Sequence, residues 1–71
     1  MKMLKELREK EKLTQAKLGK IVGVSGRSVG FYETGERIPK LEVAIKIANF
    51  FKKSVIEVFP EISKMNQHTK D

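Results

Sequence analysis

Apolar residues recur along most of the chain with helical spacing, and no segment alternates apolar and polar residues as a strand would. Leu4 and Leu7 lie three apart among charged residues, which predicts an amphipathic helix that ends at about Lys10. Thr14 is a suitable N-cap for a second helix, and Gly23 can end that helix in the left-handed conformation. The apolar side of this second helix is predicted to consist of Leu18, Ile21 and Val22.

A third helix is predicted to follow after a very short turn. Ser25 is its N-cap, and the helix covers residues 26–33 before it closes at Thr34 and Gly35. Residues 36–39 form a loop, in which Pro39 leads into the next element.

The fourth helix has the clearest apolar pattern. Its apolar positions are Leu41, Ala44, Ile45, Ile47, Ala48 and Phe51. Ser54 and Glu57 have the spacing of a capping box, which predicts a short fifth helix that Pro60 stops. This helix is predicted to present Val55, Val58 and Phe59. We therefore expect an all-α, compact bundle of five short helices over residues 1–59, followed by a flexible polar tail over residues 60–71.

Composition restricts the classes of function. A chain of 71 residues makes one small domain, and its net charge of +6 suggests a polyanionic partner such as nucleic acid. Cysteine is absent, and His68 and Asp71, the only residues of their types, lie in the predicted tail. No catalytic or metal-binding set of side chains therefore shares one packed surface. We expect no enzyme activity, no cofactor, no metal and no small-molecule ligand.

A membrane association is not expected. No apolar run approaches the ~18 residues that a membrane span requires, and the first residues lack the apolar core of a signal peptide. The first helix carries charge around most of its circumference, which disfavours binding to a membrane surface. These features predict a cytoplasmic protein.

The second and third helices, joined by Gly23 and Val24, have the arrangement of a helix-turn-helix motif. The segment TQAKLGKIVGVSGRSVGFYETGERIP (residues 14–39) resembles the phage-repressor/Cro-type (XRE) helix-turn-helix family, and the resemblance covers about residues 3–59. The matching positions are Thr14, Gln15, Leu18, Gly23, Val24, Ser25, Glu33, Gly35 and Pro39. The resemblance implies a lambda-repressor-like domain that binds double-stranded DNA sequence-specifically as a transcriptional regulator, usually a repressor and commonly a homodimer.

The third helix is expected to lie in the major groove of an operator. A helical wheel places Val29, Tyr32 and Glu33 toward the core, so the opposite side would read the bases. The predicted base contacts are Gly26, Arg27, Ser28 and Phe31. Arg27 is the leading candidate because its planar guanidinium matches O6 and N7 of guanine. Ser28 is expected either to donate to a base or phosphate or to bond to the backbone near the cap. Phe31 is expected either to contact thymine methyl groups or to add to the core.

Contacts to the DNA backbone are expected around the same helix. The resemblance implies that Gln15 binds a phosphate and braces the third helix. The other predicted backbone contacts are Thr14, Lys17, Ser25, Gly30, Arg37 and Lys40. Gly30 stands where the family usually has serine, and with Gly26 it is expected to leave the outer side of the helix bare, so that Arg27 stands clear.

Two further contacts are predicted. Glu33 lies on the inward side of the wheel and needs a partner, and the resemblance indicates Arg8. A dimer patch is predicted from surplus apolar residues, with enlargement of the monomer's core as the alternative. Its members are Phe50, Ile56 and Phe59.

A second class of function stays open at this stage. The chain could be a protein-interaction module, an antitoxin or an accessory subunit, that keeps the helix-turn-helix as a scaffold. Glycine at positions 26 and 30 favours this alternative, since each glycine costs a helix about 1 kcal/mol relative to alanine. Arg27, Gln15 and Arg37, together with the positive net charge, favour DNA binding.

Overall fold

A computed structural model describes residues 2–62, which contain five α-helices and no β-strand. The helices are α1 Lys2–Lys10, α2 Gln15–Val22, α3 Gly26–Thr34, α4 Leu41–Phe50 and α5 Val55–Val58. The predicted all-α fold and its helix-turn-helix are therefore confirmed. The largest contact between helices joins α2 to α3, and α1 also packs against α3.

Three helices begin at a hydroxyl side chain that accepts a hydrogen bond from a free amide. The Thr14 hydroxyl caps α2 and the Ser25 hydroxyl caps α3, each with an N···O distance of 3.0 Å. At α5 the Ser54 hydroxyl accepts from the Glu57 amide at 3.2 Å, and the Glu57 carboxylate accepts from the Ser54 amide at 2.8 Å. These bonds satisfy amides that have no partner within the helix.

The turn between α2 and α3 is made by close contact of backbone atoms. Gly23 has φ 86° and ψ 29°, in the left-handed region where a side chain is strained. The amides of Gly23 and Val24 both donate to the Gly19 carbonyl, at 2.8 and 2.9 Å. A β-carbon on Gly19 would lie only 2.5 Å from the Val24 carbonyl oxygen. Glycine at position 19 therefore allows α2 to approach the turn closely.

The hydrophobic core is built from all five helices and the residues just after α5. Its buried members are Leu4, Leu18, Val22, Val29, Tyr32, Ala44, Ile47, Ala48, Val58, Phe59 and Ile62. The rings of Tyr32 and Phe59 meet edge to face, with their centroids 6.5 Å apart. This contact joins the end of the bundle to the inner side of α3.

Two predictions about the end of the chain are wrong. Phe59 is fully buried, so it belongs to the core and not to a dimer patch. Ile62 is also buried, and its amide donates to the Phe59 carbonyl at 3.1 Å. Ile62 follows the non-helical residues Phe59 and Pro60, so the packed core extends past the expected boundary at residue 59. Residues 63–71 of the predicted tail lie outside the described residues.

Three apolar residues that the pattern assigned to buried sides are largely exposed, namely Ile21, Leu41 and Ile45. On α4 the inner side is narrow because Ala44, Ile47 and Ala48 pack closely against the other helices. Leu41 and Ile45 lie about 65° and 105° around the helix from the centre of that side. Helical spacing alone assigned these two residues to the core. The neighbouring helices do not cover their side chains, so both are exposed.

Candidate nucleic-acid interface

The N-terminal ends of α2 and α3 lie side by side. A β-carbon on Gly26, the first residue of α3, would be 2.8 Å from the Ala16 α-carbon and 2.9 Å from the Ala16 amide nitrogen. The start of α3 therefore touches the backbone of the first turn of α2. Helix N-termini carry free amides and partial positive charge, and two adjacent ones form a surface suited to anionic groups such as phosphates.

Gly26 and Gly30 face α2, and the predicted bare outer side of α3 is wrong. Gly26 packs against the Ala16 backbone, and a β-carbon on Gly30 would lie 3.3 Å from the Gln15 side-chain nitrogen. Both glycines are half-buried. The helical wheel gave their angle correctly but could not show which neighbour occupies that side. The small residue Ala16 in the first turn of α2 was the available signal for such close packing.

A buried ion pair connects α1 to α3. Arg8 donates from Nε to Glu33 Oε2 at 2.5 Å and from Nη2 to Oε1 at 3.2 Å. Its Nη1 donates to the Leu13 carbonyl at 2.6 Å. The two side chains are 10% and 4% exposed, and the hydrogen bond to Glu33 raises the pKa of the Arg8 guanidinium. The pair predicted from the sequence is confirmed.

Gln15 joins this ion pair from the first residue of α2. Its side-chain Nε2 donates to Glu33 Oε1 at 3.0 Å. One carboxylate therefore links α1, α2 and α3, and the glutamine braces α3 as the resemblance implied. The amide nitrogen carries a second N–H that can donate to another acceptor. The phosphate contact of Gln15 stays a prediction.

Two arginines lie over the ring of Phe31. The guanidinium carbon of Arg27, one turn earlier on α3, is 5.5 Å from the ring centroid, and that of Arg37 is 4.9 Å away. Phe31 is half-buried, whereas both arginines are exposed. The sequence predicted only DNA contact or core packing for this ring. The spacing of Arg27 and Phe31 was a usable signal, but the path of the loop that brings in Arg37 has no periodic pattern.

The remaining predicted contacts lie around this surface. The Ser25 hydroxyl donates to the Ser28 hydroxyl at 3.1 Å, so the Ser28 side chain bonds to the capping side chain and not to the backbone as one alternative had it. Lys17 is exposed on α2, and Lys40 is exposed at the N-cap position of α4 without a capping bond from its side chain. Which of these residues contact DNA stays a prediction. Phe50 and Ile56, from the predicted dimer patch, are 41% and 52% exposed.

Over residues 2–62, no group of three or more histidine, aspartate or glutamate side chains is arranged to hold a metal ion. Within the same range, none of the helices has the length and apolar character to cross a membrane. His68 and Asp71 lie outside the described residues. The surface around α3 combines exposed arginine, lysine and hydroxyl side chains with helix N-termini, and Glu36 is exposed in the loop after α3.

A family model described as Helix-turn-helix matches residues 4–58, which include all five helices. The chain belongs to the helix-turn-helix family. This assignment confirms the resemblance found in the sequence, and it describes a binding motif and not an enzyme. No solved structure gives a significant match to this helix-turn-helix protein.

Relatives of two sizes resemble this helix-turn-helix protein. An uncharacterized HTH-type transcriptional regulator of Archaeoglobus fulgidus and one of Bacillus subtilis, YgzD, are each 39% identical over 56 residues. Each match covers 79% of this chain, and it covers 79% and 85% of the respective relatives. A relative from Methanospirillum hungatei is 42% identical over 67 residues, 94% of this chain. The chain spans only 22% of that protein's length.

Proposed function

We propose that this helix-turn-helix protein is a sequence-specific, double-stranded DNA-binding transcriptional regulator that acts in the cytoplasm as a repressor. The observation that supports the proposal most is the surface where two helix N-termini meet beside exposed Arg27 and Arg37. The names of the A. fulgidus and B. subtilis relatives, HTH-type transcriptional regulators, agree with it.

In this proposal α3 enters the major groove of the operator. Arg27 donates to a guanine, since its guanidinium is exposed and has no carboxylate partner within residues 2–62. Ser28 contacts a neighbouring base or its phosphate, and the half-buried Phe31 lies at the same surface. Gly26 has no side chain, so only its backbone can approach the bases.

Phosphates on both sides of the groove are contacted by residues that flank α3. Gln15 donates its second amide hydrogen to a phosphate while Glu33 holds the first. The other proposed backbone contacts are Thr14, Lys17, Ser25, Gly30, Arg37 and Lys40. These contacts fix the position of α3 without reading sequence.

The regulator is proposed to bind as a homodimer through Phe50 and Ile56, which stay exposed while Phe59 is buried. Ile56→Lys would place a charge in this patch, and we expect sedimentation equilibrium to show a weaker dimer both alone and on DNA. Met3→Lys is the matched control, because Met3 is an exposed apolar residue on α1. Equal dimerisation of the two variants would contradict the patch.

Fluorescence anisotropy with labelled duplex DNA tests the proposal. Affinity should fall at least about tenfold between 50 and 200 mM salt, because phosphate contacts release counterions. Arg27→Ala should weaken binding, whereas Lys46→Ala, which removes an equal charge from an exposed position on α4, should bind nearly as the parent does. A folded protein that binds neither random nor upstream duplexes at 50 mM salt would contradict the proposal.

The alternative of a protein-interaction module loses its main support. It rested on glycines that would leave the reading side of α3 bare, and these glycines instead face Ala16 and Gln15 of α2. At Gly26 the cost in helix propensity is thereby explained by close packing against the Ala16 backbone. We therefore propose DNA binding alone.

A further inference from the structure

Phe31 is an aromatic residue at the proposed DNA surface whose ring lies beneath two cations. The guanidinium carbons of Arg27 and Arg37 lie 5.5 and 4.9 Å from its centroid, within the range of cation–π contact. Arg27 is one helical turn before Phe31, and Arg37 belongs to the loop after α3. One ring thus holds a side chain from the helix and a side chain from the loop.

The backbone of Phe31 also fixes the course of this loop. The Phe31 carbonyl accepts a hydrogen bond from the Arg37 amide at 3.3 Å and another from the Thr34 hydroxyl at 3.2 Å. The same Thr34 hydroxyl, whose single hydrogen serves one acceptor at a time, also lies 3.0 Å from the Glu36 carboxylate. Arg37 is therefore held to Phe31 at two points, by its amide and by its guanidinium.

Neither guanidinium pairs with an acidic side chain in the part of the chain that the structure describes. The ion pair found within residues 2–62 joins Arg8 to Glu33. In the same range, the side chains of Arg27 and Arg37 make no hydrogen bond. A guanidinium over a ring keeps its N–H donors in the plane, where they stay available to base or phosphate oxygens. The ring therefore restricts the arginines without using the groups that would bind DNA.

We propose that Phe31 is a positioning residue that orients Arg27 toward a guanine and Arg37 toward a phosphate, and that its ring does not read thymine methyl groups. The inference rests on the proposed DNA-binding function. Restricting two flexible side chains before binding reduces the entropy lost in the complex, so affinity and base discrimination both depend on the ring. Phe31 thus acts on the DNA through its neighbours.

Binding of Phe31→Leu and Phe31→Tyr to a selected operator tests this role. Leucine keeps an apolar side chain at a half-buried site but removes the ring, and tyrosine keeps the ring. We expect Phe31→Leu to lose about 5–30-fold in operator affinity, with reduced preference for guanine at the Arg27 position. The loss for random DNA should be smaller, because random DNA keeps only the phosphate contact of Arg37. Phe31→Tyr should stay within about twofold of the parent. An equal loss for operator and random DNA, or no loss, would overturn the proposal.

Replacing every thymine of the operator by uracil separates the two roles of the ring. This substitution removes the methyl groups and leaves the hydrogen-bonding edges of the bases unchanged. The parent protein should bind the uracil duplex as tightly as the thymine duplex. A loss of affinity in the parent that is absent in Phe31→Leu would show that the ring reads methyl groups, and would overturn the proposal.

A measurement without DNA keeps this inference separate from the proposed function. Protons on the δ-carbons of Arg27 and Arg37 should resonate upfield of their usual NMR positions because of the ring current of Phe31. The upfield shifts should vanish in Phe31→Leu and persist in Phe31→Tyr. Unshifted δ-protons in the parent would overturn the positioning role even if the protein binds an operator. Absence of any DNA binding with the shifts present would instead count against the proposed function alone.

Discussion

At the residue scale, the buried ion pair of Arg8 and Glu33 contributes to the stability of the contact between α1, α2 and α3. Arg8→Ala removes the cation that faces the Glu33 carboxylate and the donor that binds the Leu13 carbonyl. We expect the free energy of unfolding to fall by about 3–5 kcal/mol, since breaking a buried pair leaves a charge in an apolar setting. Urea denaturation followed by circular dichroism measures the change, and a loss below about 1 kcal/mol would contradict this account.

The double variant Arg8→Met/Glu33→Leu is the control for that prediction. It replaces both charges with apolar side chains, so no carboxylate is buried without its cation. We expect it to be more stable than Arg8→Ala by at least about 1 kcal/mol. If the double variant were the less stable of the two, the loss in Arg8→Ala would come from packing and not from charge.

The two glycines that face α2 make a matched pair of substitutions. A β-carbon at position 26 would meet the Ala16 backbone at 2.8 Å, so Gly26→Ala should destabilise by about 1–3 kcal/mol despite the better helix propensity of alanine. A β-carbon at position 30 would meet only the flexible end of Gln15, at 3.3 Å. We therefore expect Gly30→Ala to lose no stability. Thermal unfolding measures both variants, and equal effects would contradict the assigned packing.

At the element scale, the capping box of α5 predicts a dependence on pH. The hydrogen bond from the Ser54 amide lowers the pKa of Glu57 below its ordinary value of 4.5. A carboxylate with a lowered pKa stabilises the fold above about pH 4.5, and this contribution is lost as the pH falls through the lowered value. Glu57→Gln should therefore be less stable than the parent at neutral pH, with the difference shrinking below about pH 4.5. If the stability difference between Glu57→Gln and the parent stayed constant from neutral pH to below pH 4.5, the proposed role of the capping box would be contradicted.

Helix ends and inner sides could be predicted from the sequence because local chemistry determines them. Hydroxyl caps at Thr14, Ser25 and Ser54 need only their own helix, and they are confirmed. The wheel of α3 also placed Val29 and Tyr32 correctly, since two apolar residues on one side must be buried. Contacts that join distant segments carry no such local signal.

Three features of the site depended on the paths of neighbouring segments. Gly26 faces α2 because the short turn brings the starts of both helices together. Arg37 reaches Phe31 because the loop folds back onto the Phe31 carbonyl. Leu41 is exposed because none of the five described helices covers that edge of α4. A helical wheel gives the angular position of each residue within one helix. Which of these residues are buried or in contact depends on the segments that pack beside the helix.

At the scale of the whole molecule, rigid packing supports a small basic surface. The Glu33 carboxylate holds α1 and α2 against α3, and Phe31 holds Arg27 and Arg37 at the exposed side. In the proposed function, the net charge of +6 supplies general attraction to DNA, which does not depend on sequence. Discrimination between DNA sequences must therefore come from the few side chains that the packing orients.

The central claim is that α3 reads specific bases in duplex DNA, and selection from a random duplex pool tests it most directly. The folded protein should enrich a motif that contains a guanine in each of two inverted half-sites about one helical turn apart. Arg27→Ala should lose the preference for that guanine while it still retains duplexes at low salt. The claim would be contradicted if the folded parent protein retained duplexes but the retained sequences showed no enrichment over the starting pool.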